Sequence, residues 1–203
     1  MSKDHSKLPL PDRLQHLFDV ISGHRFLSMQ GLGNEVPFFI CPYPAKEAVA
    51  MERLQRQLVN RLQNAGVRVL EINLYDLTIE ILKRDGDFEW ILKKESGLEK
   101  SRLQEDLQGI LDVEHAMIPE IAARIACAEF DVMFIAGVGE VFPYIRSHNI
   151  LNNLQSTAKE KPTLMFFPGD YTHSLEAGAS LDLFGRLHDD KYYRAFNIYH
   201  CEP

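Results

Sequence analysis

Cysteine is scarce in this chain. Only Cys41, Cys127 and Cys201 occur among 203 residues, far apart and with no Cys-x-x-Cys pair. An odd, scattered set argues against a secreted disulfide framework and against a cysteine zinc site, so buried free thiols are expected. Long apolar runs are missing too. No stretch of about 18 apolar residues occurs, so no transmembrane helix is expected. The opening Met1-Ser2-Lys3-Asp4-His5-Ser6-Lys7 lacks the apolar stretch of a signal peptide. A cytoplasmic location follows as the expectation. Basic charge is also in short supply: 22 Lys and Arg stand against 29 Asp and Glu, a formal net charge of −7. Such a surface is repelled on balance by phosphate backbones, which counts against a free-standing DNA binder. A local basic patch drawn from Arg146, Lys159, Lys161, Arg186 and Arg194 stays open.

Catalytic signatures are absent from the linear sequence. No Gly-Lys dipeptide occurs, so a P-loop cannot be built in its usual form. There is no Gly-x-Ser-x-Gly elbow. The eight histidines include no His-Glu-x-x-His pair at metal-ligand spacing. No metal, no cofactor and no catalytic residue are therefore assigned, although a nucleophile assembled from distant residues is compatible with the sequence.

What is present is an alternation of strands and helices in a chain whose hydrophobic fraction, 45%, suits one self-sufficient core. Leu14, Leu17, Phe18 and Ile21 predict an amphipathic helix over residues 10–21. Val36 to Cys41 reads as a buried strand. Met51, Leu54, Leu58, Leu62 and Ala65 line one face of a helix over 45–65, stopped by Gly66. Val67 to Leu74 reads as a second strand, with Asp76 as cap of the next helix, 77–83. Thirteen of the 24 residues from Lys83 to Asp106 are charged. With Leu92, Leu98, Leu103 and Leu107 at helical spacing, this predicts a solvated helical insertion, residues 84–112. A helix over 112–130 follows, which Pro119 either kinks or starts. Asp131 to Ala136 reads as a third strand, 142–154 as a helix, Thr163 to Phe167 as a fourth strand ended by Pro168-Gly169, and Tyr193 to Tyr199 as a last strand. The expectation is one α/β domain: a mostly parallel sheet of about five strands in three layers, resembling a Rossmann or RecA-like domain without its P-loop.

In such sheets ligands bind beyond the carboxyl ends of the strands. After the first strand the chain reads Pro42-Tyr43-Pro44, which removes two backbone donors where a phosphate needs them. Gly137-Val138-Gly139 follows a strand, as a dinucleotide turn does, but Phe142 stands where the third glycine belongs. A tight turn explains it as well.

Five polar segments remain that packing alone does not explain. They are Gly31-Leu32-Gly33-Asn34-Glu35 continuing to Phe39; Leu70 to Tyr75; Gly137-Val138-Gly139-Glu140 continuing through Pro143-Tyr144-Ile145-Arg146-Ser147-His148 to Leu151-Asn152-Asn153-Leu154; Phe166-Phe167-Pro168-Gly169-Asp170-Tyr171; and Leu183-Phe184-Gly185-Arg186-Leu187 followed by Asp190-Lys191-Tyr192-Tyr193-Arg194-Ala195-Phe196. In this order and at this length the chain resembles the BrxB family, small proteins of bacteriophage-defence BREX operons. The resemblance spans roughly residues 10–199. It implies a system in which host DNA is methylated and phage replication blocked, alongside a methyltransferase, a large ATPase, a phosphatase-superfamily protein and a Lon-like protein. It carries no established catalytic chemistry. The expected function is therefore non-catalytic assembly, with the phosphatase-like subunit the favoured partner and the ATPase second. DNA is reached only indirectly, through the complex. The candidate interaction surface comprises Asn34, Glu35, Gly137, Gly139, Glu140, Arg146, His148, Asn152, Asn153, Gly169, Tyr171, Arg186, Tyr192, Tyr193 and Arg194, since Arg and Tyr are enriched at protein contacts. Each segment also has a local explanation, such as turn bracing or edge-strand packing. The competing readings are a nucleic-acid adaptor and a degenerate nucleotide-binding enzyme.

Overall fold

A computed structural model describes residues 4–30, 37–174, 178–185, 187–188 and 195–203. Its first helix, α1 (Leu10–Ser22), starts with a proline at N2 and buries Leu17 and Ile21, as the apolar spacing predicts, together with Val20, while Leu14 and Phe18 are half-buried; a short α2 (His24–Leu27) follows. Strand β1 (Phe38–Tyr43) leads through a 3-10 turn into α3 (Ala48–Asn64), which Gly66 ends at φ +83°. Strand β2 (Val69–Asn73) passes directly into α4 (Leu74–Asp85). Helices α5 (Asp87–Lys94) and α6 (Lys100–Ile110) form the charged segment. A π-helical turn at Val113–Met117 precedes α7 (Ile118–Cys127), so Pro119 sits in a first helical turn rather than at a kink. Strand β3 (Val132–Ala136), helix α8 (Ser147–Leu154), strand β4 (Thr163–Ser174), strands β5 (Gly178–Leu183) and β6 (Leu187–His188), and strand β7 (Ala195–Asn197) complete the order.

Five strands run parallel in the order β2-β3-β4-β1-β7. Side chains alternate across this sheet because the strand period is two. Phe38, Ile40, Met133, Ile135, Met165 and Phe167 face one core, with Leu77, Ile81, Ile121 and Leu151 of α4, α7 and α8. Phe39, Cys41, Val132, Phe134, Leu164 and Phe166 face the other, with Leu17, Met51, Leu54 and Leu58 of α1 and α3. The split follows from the crossovers. The connection β1-α3-β2 runs toward one edge of the sheet, whereas β2-β3 and β3-β4 run back. Right-handed crossovers in opposite directions cover opposite faces. The three-layer α/β architecture expected from the sequence is thus the one observed.

Several expectations change. Asp76 does not cap α4. Asn73 does, its Oδ1 accepting from the Tyr75 N–H at 2.9 Å and the Asp76 N–H at 3.3 Å. The helix expected from Phe142 begins only at Ser147, because Pro143 lacks an N–H and disfavours helical backbone at the residue before it. The charged segment is helical, but it is not wholly peripheral: Ile91 and Leu111 are buried in the first core. Strand β4 does not end at Pro168-Gly169. It pairs with β1 as far as Pro168, then leaves the parallel sheet and pairs antiparallel with β5 from Gly169 to Ser174. The proline cannot donate to a continuing ladder, and Gly169 lets the Asp182 backbone come close, so a break in one sheet becomes entry into another. Within the described residues the last strand covers Ala195–Asn197, on the far side of β1, and Ile198 and Tyr199 turn instead into a 3-10 helix; Tyr193 and Arg194 lie outside the described residues. Finally, only Cys41 is fully buried; Cys201 is half-buried and Cys127 exposed, all three as free thiols.

Candidate functional site

The carboxyl ends of the parallel strands open into two cavities. The first, of about 700 Å³, lies beyond β2 and β3 and under the first turns of α3. Glu52, Glu71, Asp76, Glu80 and Glu140 line it, with Arg56, Arg124, Asn73, Tyr43 and Gly137. Its two arginines are engaged within the wall. Arg56 pairs with Glu52 at 3.4 Å, and Arg124 with Glu80. Burial, followed by the charges of Asp76 and Glu52, pushes the Glu140 carboxyl above its usual range. The cavity thus presents an excess of negative potential.

Gly137 stands at the floor of this cavity with φ +76°. A Cβ placed there would collide with the Asn73 carboxamide and come within 3.0 Å of the Tyr75 N. Glycine here therefore answers two demands: left-handed backbone after β3, and close approach to the cap of α4. The tight turn read from the sequence is real, and its reason is a neighbouring helix terminus.

The second cavity, of about 830 Å³, lies beyond β1, β4 and β7. Pro42, Tyr43, Pro44, Gly169, Asp170, Tyr171 and Asn197 line it, with Arg13 and Glu47. The Arg13 side chain is almost fully buried and its Nη2 donates to Glu47 at 2.5 Å. The Tyr171 hydroxyl donates to the Ala195 carbonyl at 2.6 Å, tying the β4–β5 hairpin to β7. Burial pushes this phenol up to about 12. Between the cavities stands Gly139, whose absent side chain leaves room for Pro168 and the Phe184 ring; a Cβ would lie 2.9 and 3.1 Å from them.

The structure therefore gathers part of the candidate surface. Gly137 and Glu140 belong to the first cavity, Gly169 and Tyr171 to the second, and Gly139 to the partition. Arg146 is exposed at the N-cap position of α8, not within its first turns as the expected helix would have it. Asn152 is exposed on α8. Asn153 turns its Nδ2 back to the Asn149 carbonyl at 2.9 Å, which gives it a local bond inside its own helix. His148 is buried beneath that helix. Asn34, Glu35, Arg186, Tyr192, Tyr193 and Arg194 lie outside the described residues. Asn73, Arg13, Pro168 and Phe184 escaped the sequence reading as site residues. Asn73, Pro168 and Phe184 fall inside the polar segments singled out above, and Asn73 carried a further signal as a cap-forming residue at the step from strand to helix. Among the described residues no group of three or more His, Cys, Asp or Glu side chains is arranged to hold a metal, and no helix is long and apolar enough to cross a membrane.

Comparison with known proteins gives a consistent result. Residues 70–198 match the family model described as BREX protein BrxB. A BREX protein BrxB of Bacillus cereus (strain H3081.97) is 34% identical over 192 residues, covering 92% of this chain and 96% of that one. A BREX protein BrxB of Escherichia coli O9:H4 (strain HS) is 28% identical over 186 residues, covering 92% and 90%. No solved structure matches the chain.

Proposed function

This chain belongs to the BrxB family of BREX proteins, and on that premise we propose that it acts as a non-catalytic assembly subunit of a BREX phage-defence complex. It docks to the phosphatase-like component, or failing that the ATPase, and meets DNA only through the complex. The observation that carries this reading is the chemistry of the carboxyl edge. A nucleotide enzyme of this architecture offers free backbone N–H groups and a Lys at that edge. Here Pro42 sits near the end of the β1 ladder, one residue further than the strand expected from the sequence, and Pro44 follows the strand directly; the adjoining cavity carries five carboxylates whose two arginines are already paired within its wall. A polyphosphate brought there meets repulsion that backbone dipoles do not offset. A nucleic-acid backbone meets the same obstacle, reinforced by the net charge of −7.

The test is affinity capture of the tagged chain from cells carrying the complete defence operon. Recovery of the phosphatase-like protein or the ATPase, unchanged by nuclease treatment, is the expected result. Recovery of nucleic acid alone would favour the adaptor reading, and capture of no BREX component would overturn assembly.

A further inference from the structure

Away from the carboxyl edge, α4, α5 and α6 enclose an open groove of about 700 Å³. Helix α5 builds one wall. Phe88, Ile91, Leu92 and Glu95 fall at i, i+3, i+4 and i+7, which places them on one face. Ile91 turns inward to the core, but Leu92 stays 52% exposed. Ile79 and Leu82 of α4 and Leu107 of α6 complete the apolar floor. An apolar face of this kind costs free energy in water, and contiguous ones mark docking sites more often than scattered exposed residues do. Trp90, the chain's sole tryptophan and 42% exposed, stands two residues after Phe88 and so on the side of the helix turned away from the groove.

The lining is acidic on balance. Among the described residues, the charged ones lining the groove are Asp76, Glu80 and Glu95, while Lys83 places its Nζ 5.1 Å from the centre of the Phe88 ring at one end. Arg124 pairs with Glu80 from the far side, which leaves the carboxylates of Asp76 and Glu95 against the single ammonium of Lys83. The wider segment from Leu74 to Asp112 holds ten acidic against six basic side chains. The occupant that complements such a rim carries cations beside its apolar face. Its shape follows from the walls. The lining on α4 runs from Tyr75 to Leu82, about 10 Å at 1.5 Å per residue, or about two helical turns. Three helices leave a trough that a fourth fills with its side-chain ridges.

We infer that this groove seats a helix of a partner protein whose apolar stripe is flanked by Lys or Arg. The inference rests on the assembly reading above and adds to it a surface and a partner chemistry. It assigns the docking role to the charged helical segment, which the candidate surface had left out.

Two measurements decide it. In the first, the full chain is titrated with a fluorescently labelled, aromatic-free helix of about 14 residues built from leucine and lysine, and with its leucine and glutamate counterpart. Polarisation gives the affinity, and the variants give the location. The lysine helix should bind, and should lose roughly tenfold or more in affinity to Leu92→Lys and to Glu95→Lys. Unchanged thermal midpoints will show that these exposed positions do not report unfolding. Equal binding of both helices, or indifference to both variants, overturns the inference. In the second, the Leu92→Lys chain replaces the native one in capture from operon-carrying cells. Loss of a BREX component supports the groove. Full capture by the variant refutes the groove but leaves assembly standing. Capture by neither chain refutes assembly, and the peptide titration still decides the groove. Sedimentation showing that Leu92→Lys merely converts a dimer to monomer would assign the groove to a second copy of the chain and also overturn the inference.

Discussion

Replacing Gly137 with alanine should destabilise the fold through two separable terms. The first is backbone strain. At φ +76° a residue bearing a Cβ costs about 1–2 kcal/mol. The second is the cap of α4. The new methyl collides with the Asn73 carboxamide, whose Oδ1 holds the Tyr75 and Asp76 N–H groups, and losing such a cap costs about 1 kcal/mol. Together they amount to about 2–3 kcal/mol. For a chain of this length that lowers the thermal midpoint by about 4–12 °C. Asn73→Ala alone should cost about 1 kcal/mol. The terms share one carboxamide, so they are not additive. Once Asn73 is truncated, the methyl introduced by Gly137→Ala has less to collide with, although the Tyr75 N at 3.0 Å still crowds it. The double variant should therefore be about 1 kcal/mol more stable than the sum of the single effects predicts. Urea unfolding of the four proteins completes the cycle. Additivity within about 0.3 kcal/mol would show that Gly137 and the cap are independent, and the account of this turn would fail.

Three further outcomes follow. Tyr171→Phe leaves the buried Ala195 carbonyl without its donor, which should cost about 1–2 kcal/mol; an unchanged thermal midpoint would mean that the hairpin is not tied to β7 through this bond. Calorimetry with ATP and Mg²⁺ should show no micromolar binding at the acidic carboxyl edge, and a micromolar isotherm would overturn the reading of Pro42 and Pro44. His16 is held below its usual value first by burial and then by the His5 ring stacked 4.0 Å away, against weaker opposing effects of the Ile198 carbonyl and Asp19. Unfolding releases it to its ordinary value of about 6.5, so the unfolded chain binds more protons and stability falls as pH drops through that region. His16→Gln should flatten this fall between about pH 7.5 and pH 5.5 relative to the parent chain. The comparison cancels His115, which Asp112 raises and which acts with the opposite sign. Parallel midpoint curves would remove His16 from the account.

The elements most legible in the sequence were those with one dominant period. Met51, Leu54, Leu58 and Leu62 announced α3, and the apolar runs at Phe38, Val132 and Thr163 announced central strands buried on both faces. The errors fall where one residue type serves two purposes. Pro168-Gly169 read as a stop because such pairs usually end strands. In the folded chain it is where β4 exchanges one sheet partner for another, a choice that depends on the downstream β5. Asp76 is a good cap residue by type, yet Asn73 is nearer the strand end and takes the role. The candidate surface was legible only in part for a related reason. Glycines 137, 139 and 169 mark close approach, and whether the approaching group is a ligand or another part of the chain is not written locally.

That last distinction bears on function. In an open parallel sheet the space beyond the strand ends is where a ligand sits, because the chain leaves it empty. Here β4 does not turn back at the edge but continues outward from Gly169 to Ser174, and β5 returns alongside it. Phe184, at the end of that hairpin, packs against the turn at Gly139 and meets the Phe142 ring edge-on at 6.2 Å. The glycines that elsewhere admit a pyrophosphate here admit protein: the Asn73 cap at Gly137, Pro168 and Phe184 at Gly139, the Asp182 backbone at Gly169. The sheet edge is thereby divided by its own chain into two open, mostly acidic hollows. A fold that fills part of its usual ligand crevice with its own chain leaves other surfaces to meet partners, and one of them is the groove between α4, α5 and α6, where Leu92 faces water.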